Sequence, residues 1–260
     1  CADSHMHGSD IKEGKIELIA DCDGLLKIRR DALVAVNSLG EMMIASRHGD
    51  FPVKKGDKIA GTRIIPLVIE KEMDRAVEAA GNEPVFSLLP FHTKKAAIVT
   101  TGSEVQKGLI KDTFTPVLKE KLFEYNVQVI GQTLPGDDRQ TITSDILHFI
   151  EEGADLILCS GGMSVDPDDR TPGAIKDTGA DIVTYGAPVL PGAMLLLAYY
   201  HKDGKTIPVI GLPGCVMYAR RTVFDLILPR IMADDPICAE EICAYGEGGL
   251  CLNCDVCTFP

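Results

Sequence analysis

The sequence predicts an α/β protein in which a doubly wound, mostly parallel sheet follows a small β-rich module. Three observations predict this fold class. Short β-prone runs fill residues 11–80, strands and amphipathic helices alternate from residue 94, and turn sequences follow four of the predicted strands. The 260 residues are enough for two domains, which we place at 11–80 and 94–233, before a cysteine-rich tail at 234–260.

The first predicted domain is a small module of the β-barrel or β-clip type. Turn sequences such as Asp23-Gly24 and Lys55-Gly56-Asp57 separate its short β-prone runs. The predicted strands are 16–20, 25–28, 42–46 and 64–69. We also expect one short helix capped by Asp31, a connecting helix from Glu72, and a linker at residues 81–84.

From residue 94 the pattern changes to alternating strands and helices, which is typical of a parallel sheet covered on both faces. Apolar runs predict strands at 96–100, 127–130, 155–159, 181–184 and 207–210. Helical spacing predicts helices at 113–126, at the segment carrying Ile142, Ile146, Phe149 and Ile150, and at 216–232. Apolar helices are also expected directly after the Pro-Gly turns at Pro191 and Pro213.

Ligands in such sheets bind at the carboxyl ends of the strands, and unusual residues cluster there. The four loops are Thr101-Gly102-Ser103-Glu104, Pro135-Gly136-Asp137-Asp138, Ser160-Gly161-Gly162-Met163-Ser164 and Gly211-Leu212-Pro213-Gly214. Gly161 and Gly162 permit positive φ and close approach to the backbone. This turn either cradles a phosphate or polar heterocycle, with Ser160 and Ser164 as donors, or is a tight turn without a ligand.

Carboxylates are dense beside these loops. The aspartates are Asp137, Asp138, Asp166, Asp168 and Asp169. Such oxygen ligands suit Mg²⁺, and a carboxylate can instead accept from the N–H groups of a pterin or purine. Alternatively some of them cap helices, and Asp169 is placed to cap a helix that opens at Thr171-Pro172. Glu104 is a further candidate acid.

Composition limits the function classes. The net charge is −12, and without a basic cluster nucleic acid is not expected as a partner. No apolar run approaches the ~20 residues of a membrane span, so we expect no membrane contact. The first ten residues hold no signal-peptide core, and cysteines crowd one terminus, which favours a reduced, cytoplasmic protein.

Cysteines form the last candidate site. Cys251, Cys254 and Cys257 recur at two-residue gaps and either ligate an Fe–S cluster or zinc or form a tail of reactive thiols. Cys215 opens the predicted last helix, where the dipole would lower its pKa unless it is a buried structural thiol.

In order and spacing, the loops resemble the molybdopterin-binding domain shared by molybdenum cofactor biosynthesis proteins, over about residues 94–233. The matching pieces are Thr101-Gly102-Ser103-Glu104-Val105, Asp137-Asp138, Ser160-Gly161-Gly162-Met163-Ser164, Asp169-Arg170-Thr171-Pro172, Pro191-Gly192 and Leu212-Pro213-Gly214. The whole chain, with VKKGDKIAGTRIIPLVI at 53–69 and its cysteine tail, is similar to a bacterial subfamily of molybdopterin-binding proteins.

The resemblance implies a homo-oligomer that binds molybdopterin or the molybdenum cofactor and meets a molybdoenzyme or another biosynthesis protein. It implies Mg²⁺-dependent adenylyl transfer or molybdate insertion, with Asp137 and Asp169 catalytic and Asp166 and Asp168 on the metal. The implied cofactor-binding residues are Thr101, Gly102, Ser103, Glu104, Gly161, Gly162, Ser164, Thr171, Pro191, Gly192, Pro213 and Gly214.

Two departures bear on catalysis. The insertion enzymes of this family carry a basic residue after the first Pro-Gly and Asn-Pro after the second, whereas this chain has Ala193-Met194 and Cys215-Val216. Arg170, Lys176 and Arg220 are candidate substitutes for the missing cation. The alternatives to a biosynthetic transferase are therefore a non-catalytic cofactor carrier or sensor, and a dinucleotide pyrophosphatase.

Overall fold

A computed structural model describes residues 2–40, 42–64, 72–109, 111–163 and 169–252. The chain divides into two compact units, Cys1–His92 and Thr93–Pro260. Among the described residues, no helix is both long and apolar enough to cross a membrane.

The first unit is β-rich. Its elements are β1 (Met6–Gly8), β2 (Lys15–Ala20), β3 (Gly24–Ile28), α1 (Arg30–Asn37), β4 (Met42–Ser46), β5 (Phe51–Val53), β6 (Lys58–Ile64), α2 (Glu72–Ala79) and β7 (Phe86–Pro90). They form a four-stranded sheet in the order β1-β2-β6-β4 and a three-stranded sheet in the order β5-β3-β7. Every pairing in these two sheets is antiparallel. Buried side chains from both sheets and both helices, including Leu26, Val36, Ile59 and Phe86, share one core.

Two expectations for this unit need correction, and a third falls almost entirely outside the described residues. The residue before α1 is Arg29, and Asp31 lies inside the first turn, where its charge favours the helix without capping it. The predicted strand at 64–69 extends beyond the described residues, and the described strand β6 precedes it. Residues 81–84 are not a linker between domains, because β7 follows them and pairs with β3 in the same unit.

The second unit is an α/β sandwich. Its elements are β8 (Lys95–Thr101), α3 (Ser103–Gln106), α4 (Phe114–Phe123), β9 (Gln128–Gly136), α5 (Arg139–Glu151), β10 (Leu156–Ser160), α6 (Thr171–Asp177), β11 (Asp181–Tyr185), β12 (Leu196–Lys202), β13 (Lys205–Leu212), α7 (Val223–Met232) and α8 (Ala239–Ala244). One six-stranded sheet has the order β11-β12-β13-β10-β8-β9. The strands β13, β10, β8 and β9 run parallel, and β12 is antiparallel to both β11 and β13.

Helices cover both faces of this sheet, as predicted. On one face, Val99 and Cys159 of the strands pack with Ile146 of α5 and Ile175 of α6. The neighbouring residue Thr100 points to the opposite face, because successive strand residues alternate, and there its hydroxyl contacts Thr115 of α4. Burial raises the pKa of the Cys159 thiol to about 12.

Two predicted helices are wrong. The apolar run after Pro191-Gly192 forms the strand β12, whose buried Leu196 and Leu197 lie inside the sheet, and such a run lacks the period that separates strands from helices. The predicted helix 216–232 is split into a 3₁₀ turn, Gly214–Met217, and α7. Thr222 starts α7 with a capping box, because its side chain accepts from Phe224 N and its own N–H donates to Asp225.

Candidate functional site

The sheet brings the predicted loops to one edge. Because β8, β9, β10 and β13 are parallel, their carboxyl ends lie on the same side of the sheet. In register, Ser160 is the partner of both Thr100 and Leu212, and Thr101 is the partner of Gly136. The carboxyl end of β11 joins this edge, since β11 is antiparallel to β12 and β12 is antiparallel to β13. We call this the carboxyl edge.

The loop after β8 is fastened to the loop after β9. Gly102 has a φ of 123° and donates its N–H to Gly136 O (3.2 Å). The N–H of Ser103 donates to Asp137 Oδ2 at 2.8 Å. Asp137 therefore holds the start of α3 in place across the edge, while the side chain of Glu104 is exposed.

Asp138, next to it, is a helix cap. Its Oδ2 accepts from Thr141 N (2.8 Å) and from Thr141 Oγ1 (2.6 Å) at the start of α5. The hydrogen bonds from the side chain and then the backbone of Thr141 lower the pKa of Asp138. Of the two roles expected among the aspartates, Asp138 takes the structural one.

The double-glycine turn after β10 is packed against its neighbours. Gly161 has a φ of 87°, and a Cβ there would lie 2.5 Å from the carbonyl oxygen of Thr101. Gly162 has a φ of 53°, and a Cβ there would lie 2.9 Å from Thr171 Oγ1. Protein packing alone therefore requires both glycines, whether or not a ligand reaches this backbone.

Buried hydroxyl groups support the turn from below. Thr171 Oγ1 donates to Gly161 O (2.9 Å), and Thr101 Oγ1 lies 3.0 Å from Thr171 Oγ1 and 3.2 Å from Ser160 O. Thr101 is 4% exposed and Thr171 is fully buried. These two threonines fix the position of the glycine turn rather than present their hydroxyls at the surface.

Asp169 does not cap a helix. The capping position of α6 is Arg170, which makes no side-chain capping bond, so Asp169 lies one residue too early. Two features fix this start: the Thr171 side chain is held by the glycine turn, and Pro172 has no N–H to offer a cap. Asp169 Oδ2 is buried and, within the described parts of the chain, has no hydrogen-bond partner.

Tyr185 is a residue that sequence reasoning missed. It ends β11 at the carboxyl edge, and its hydroxyl donates to Met163 O (3.3 Å) directly after the glycine turn. Burial, and then the nearby carboxylate of Asp169, raise the pKa of Tyr185. The available signal was an aromatic residue at the end of a predicted strand, followed by Gly186.

The two Pro-Gly turns reach the same edge. Pro213 and Gly214 follow β13, and Pro213 is buried whereas Gly214 is exposed. Gly192 has a φ of 132°, and a Cβ there would lie 2.6 Å from Val223 Cγ1 at the start of α7. Cys215 lies in the 3₁₀ turn, and burial raises the pKa of its thiol, which favours the alternative of a structural thiol over a pKa lowered by a helix dipole.

Several predicted ligands fall outside the described residues. These are Ser164, Asp166, Asp168, Cys254 and Cys257. Cys251 is half-buried, and its N–H donates to Leu190 O (2.8 Å), one residue before Pro191-Gly192. Within the described ranges, no group of three or more His, Cys, Asp or Glu side chains is arranged to hold a metal ion.

Comparison with known proteins identifies the family of the domain that contains this edge. Residues 97–233, more than half of the chain, match the family described as a probable molybdopterin binding domain. A CinA-like protein of Mycolicibacterium gilvum is 38% identical over 77 residues, and one of Mycobacterium tuberculosis is 36% identical over 77 residues. Each match covers 30% of this chain and only 18% of the length of that relative.

Solved structures also resemble the chain. The tungsten cofactor synthesizing protein MoaB from Pyrococcus furiosus has 19% identity and a TM-score of 0.42, over 48% of this chain and 84% of that one. The protein CinA from Thermoplasma acidophilum, of unknown function, has 19% identity and a TM-score of 0.43, over 54% of this chain and 98% of that one.

Proposed function

The chain belongs to the family of the probable molybdopterin binding domain, and we propose that it binds molybdopterin or the molybdenum cofactor and acts in molybdenum cofactor biosynthesis. The ligand would lie at the carboxyl edge of the six-stranded sheet, over the glycine turn Gly161-Gly162. The loops that begin at Thr101 and at Pro213 would flank it.

One observation carries this proposal. Asp169 Oδ2 is buried at the carboxyl edge with no hydrogen-bond partner among the described residues. A buried acceptor without a donor is unfavourable by roughly 1–3 kcal/mol. A pterin ring carries N–H groups that would donate to this oxygen, so a bound pterin would supply the donor that the described residues do not provide. This match between the N–H groups of a pterin and the carboxylate of Asp169 does not require a metal ion.

The surroundings of Asp169 suit a ligand whose position is fixed. Thr171 and Thr101 hold the glycine turn from below, and Asp137 holds the loop after β8. Binding to such a prepared surface loses little conformational freedom. In this arrangement Asp169 orients the ring, and Asp137 keeps Ser103 and Glu104 at the edge.

The first experiment is an anaerobic titration of the purified chain with molybdopterin, comparing wild type with Asp169→Asn. The Asn side chain has nearly the same shape but places an NH₂ group or a weaker acceptor at the ligand, so we expect affinity to fall at least tenfold. Asp181→Asn is the matched control, because Asp181 lies at the other end of β11. Equal affinity of wild type and Asp169→Asn would place the ligand elsewhere, and no binding by wild type would refute the function.

A second experiment separates enzyme from carrier. If the chain is a biosynthetic transferase, bound molybdopterin is converted when ATP or molybdate is added with Mg²⁺. A carrier or sensor binds the ligand and leaves it unchanged, which the missing basic residue after Pro191-Gly192 and the missing Asn-Pro after Pro213-Gly214 favour. A dinucleotide pyrophosphatase instead hydrolyses ADP-ribose-like substrates and does not respond to the pterin.

The metal proposals concern residues that lie mostly outside the described part of the chain. A magnesium ion would involve Asp166 and Asp168, and a zinc or Fe–S centre would involve Cys251, Cys254 and Cys257. The proposal of a cysteine-bound metal rests on the spacing of these three cysteines in the sequence. Iron and zinc content of anaerobically prepared protein, compared with Cys251→Ser, tests it: an unchanged, substoichiometric metal content contradicts a cysteine-bound metal.

A further inference from the structure

Tyr185 occupies a position between two parts of the proposed site. Its backbone is fixed at the end of β11, where it is the register partner of Leu196. Its hydroxyl is fixed by the hydrogen bond to Met163 O (3.3 Å), the residue that follows the glycine turn. The ring is therefore held at both ends at the carboxyl edge.

The held ring is still open to solvent. Tyr185 is 46% exposed, although it is a large apolar group beside polar loops. The raised pKa of Tyr185, which burial and the Asp169 carboxylate produce, keeps the phenol protonated near neutral pH and able to donate to Met163. The hydroxyl is thus engaged with the protein, and the solvent-exposed part of the ring is what a ligand would meet.

The nearest charged group defines what would meet that face. Asp169 lies close enough for its carboxylate to act on Tyr185, and one of its oxygens is buried without a partner in the described chain. A ligand that donates to Asp169 through a ring N–H brings a flat heterocyclic ring beside the tyrosine. Flat heterocycles stack favourably on aromatic side chains.

We propose that the Tyr185 ring stacks on the pterin ring of the bound ligand while Asp169 accepts a hydrogen bond from the edge of the same ring. The inference deepens the proposed function and depends on it. It makes Tyr185 a ligand-binding residue and assigns the pterin end of the ligand to the β11 side of the edge. The phosphate end then points towards the loop after β8.

The test is an anaerobic molybdopterin titration of wild type, Tyr185→Phe, Tyr185→Leu and Tyr185→Ala. Phe keeps the aromatic face, so its affinity should stay within about threefold of wild type. Leu keeps much of the volume without a π-face, so both Leu and Ala should bind on the order of tenfold more weakly. Ile182→Ala is the control, because Ile182 lies on the same strand, three residues before Tyr185, and is similarly exposed at 42%.

The outcomes are distinct. Wild-type affinity in Tyr185→Leu and Tyr185→Ala overturns the stacking inference and leaves the proposed function standing. A loss in Tyr185→Phe as large as in Tyr185→Ala overturns it too, because the hydroxyl and not the ring would then matter. A wild-type chain that does not bind molybdopterin overturns both. An unfolding midpoint near that of wild type shows that a variant is folded. If Tyr185→Ala does not fold, Tyr185→Leu alone tests the loss of the aromatic ring.

Discussion

Two aspartates at the carboxyl edge precede helices, and they differ in whether the helix that follows donates hydrogen bonds to them. Asp138 precedes α5, and Thr141 donates to it through both backbone and side chain. Asp169 precedes α6 by two residues, makes no capping bond, and keeps one buried oxygen without a partner among the described residues. An aspartate that precedes a helix acts as a cap only if the N–H groups of the first helical turn can donate to its side chain.

What sets the helix start differs between the two. At α5 the cap is local, since Asp138 and Thr141 are three residues apart. At α6 the start is set by long-range contacts, because Thr171 is held by Gly161 and by Thr101, which is 70 residues away. The contacts of Thr171 with Gly161 and Thr101 thus set the start of α6 after Asp169. Disturbing these contacts should remove the difference between Asp169 and Asp138.

The largest expected effect comes from Gly161→Ala. A Cβ at Gly161 would lie 2.5 Å from a backbone oxygen, and backbone cannot move aside easily. The left-handed φ of 87° adds strain of about 1–2 kcal/mol, and the clash brings the expected loss of unfolding free energy to about 3 kcal/mol. Urea unfolding measures it.

Gly153→Ala is the matched control for this prediction. Gly153 has nearly the same φ, 89°, but a Cβ there would meet nothing within 4 Å. We expect this variant to lose only the strain of about 1–2 kcal/mol. Equal losses in the two variants would show that the glycine turn is not tightly packed, and that the position of Asp169 needs another explanation.

An intermediate effect is expected from Thr171→Val. Valine keeps the shape but removes the hydroxyl that donates to Gly161 O, so a buried acceptor loses its donor. The expected loss is about 1–3 kcal/mol of unfolding free energy, together with weaker molybdopterin binding. Thr171→Ser retains the hydroxyl and should restore most of the binding; a serine variant that binds as poorly as valine would argue against a positioning role.

The smallest effect concerns Asp138 and pH. Its pKa is lowered in the folded chain, so its contribution to stability is present above the ordinary value of 3.8 and is lost as the pH falls through the folded value. Asp138→Asn keeps an acceptor for Thr141 but does not titrate. Unfolding midpoints of the two chains should keep a constant difference near neutral pH and approach each other below about pH 4. A difference that stays constant down to pH 3 would mean that the Asp138 cap is not coupled to protonation.

Regular patterns in the sequence predict much of this fold. Apolar periodicity identifies β8, β10 and α5 because each has a continuous buried run or stripe. It also predicts which loops meet, since the carboxyl ends of parallel strands share an edge. The same reasoning misassigns β12, because a strand buried on both faces reads like a helix when it lacks alternation.

The site itself is predicted less completely, for a physical reason. Its loops follow from strand ends, but the state of each side chain depends on partners distant in sequence, such as Ser103 and Asp137, which are 34 residues apart. Pro172, which has no N–H three residues after Asp169, is a local difference from Thr141 after Asp138, but no local pattern marks Tyr185 as a neighbour of Met163. Ser103 meets Asp137, and Tyr185 meets Met163, because the alignment of the strands in the sheet brings these loops together.

Cys159 has a consequence of another kind. It is fully buried in the central strand β10, with a thiol pKa of about 12, so thiol reagents cannot reach or activate it while the sheet is closed. The rate at which Cys159 is alkylated therefore measures how often the parallel sheet opens. The exposed Cys238 and Cys243 are accessible without any opening of the sheet and serve as the reference in the same sample.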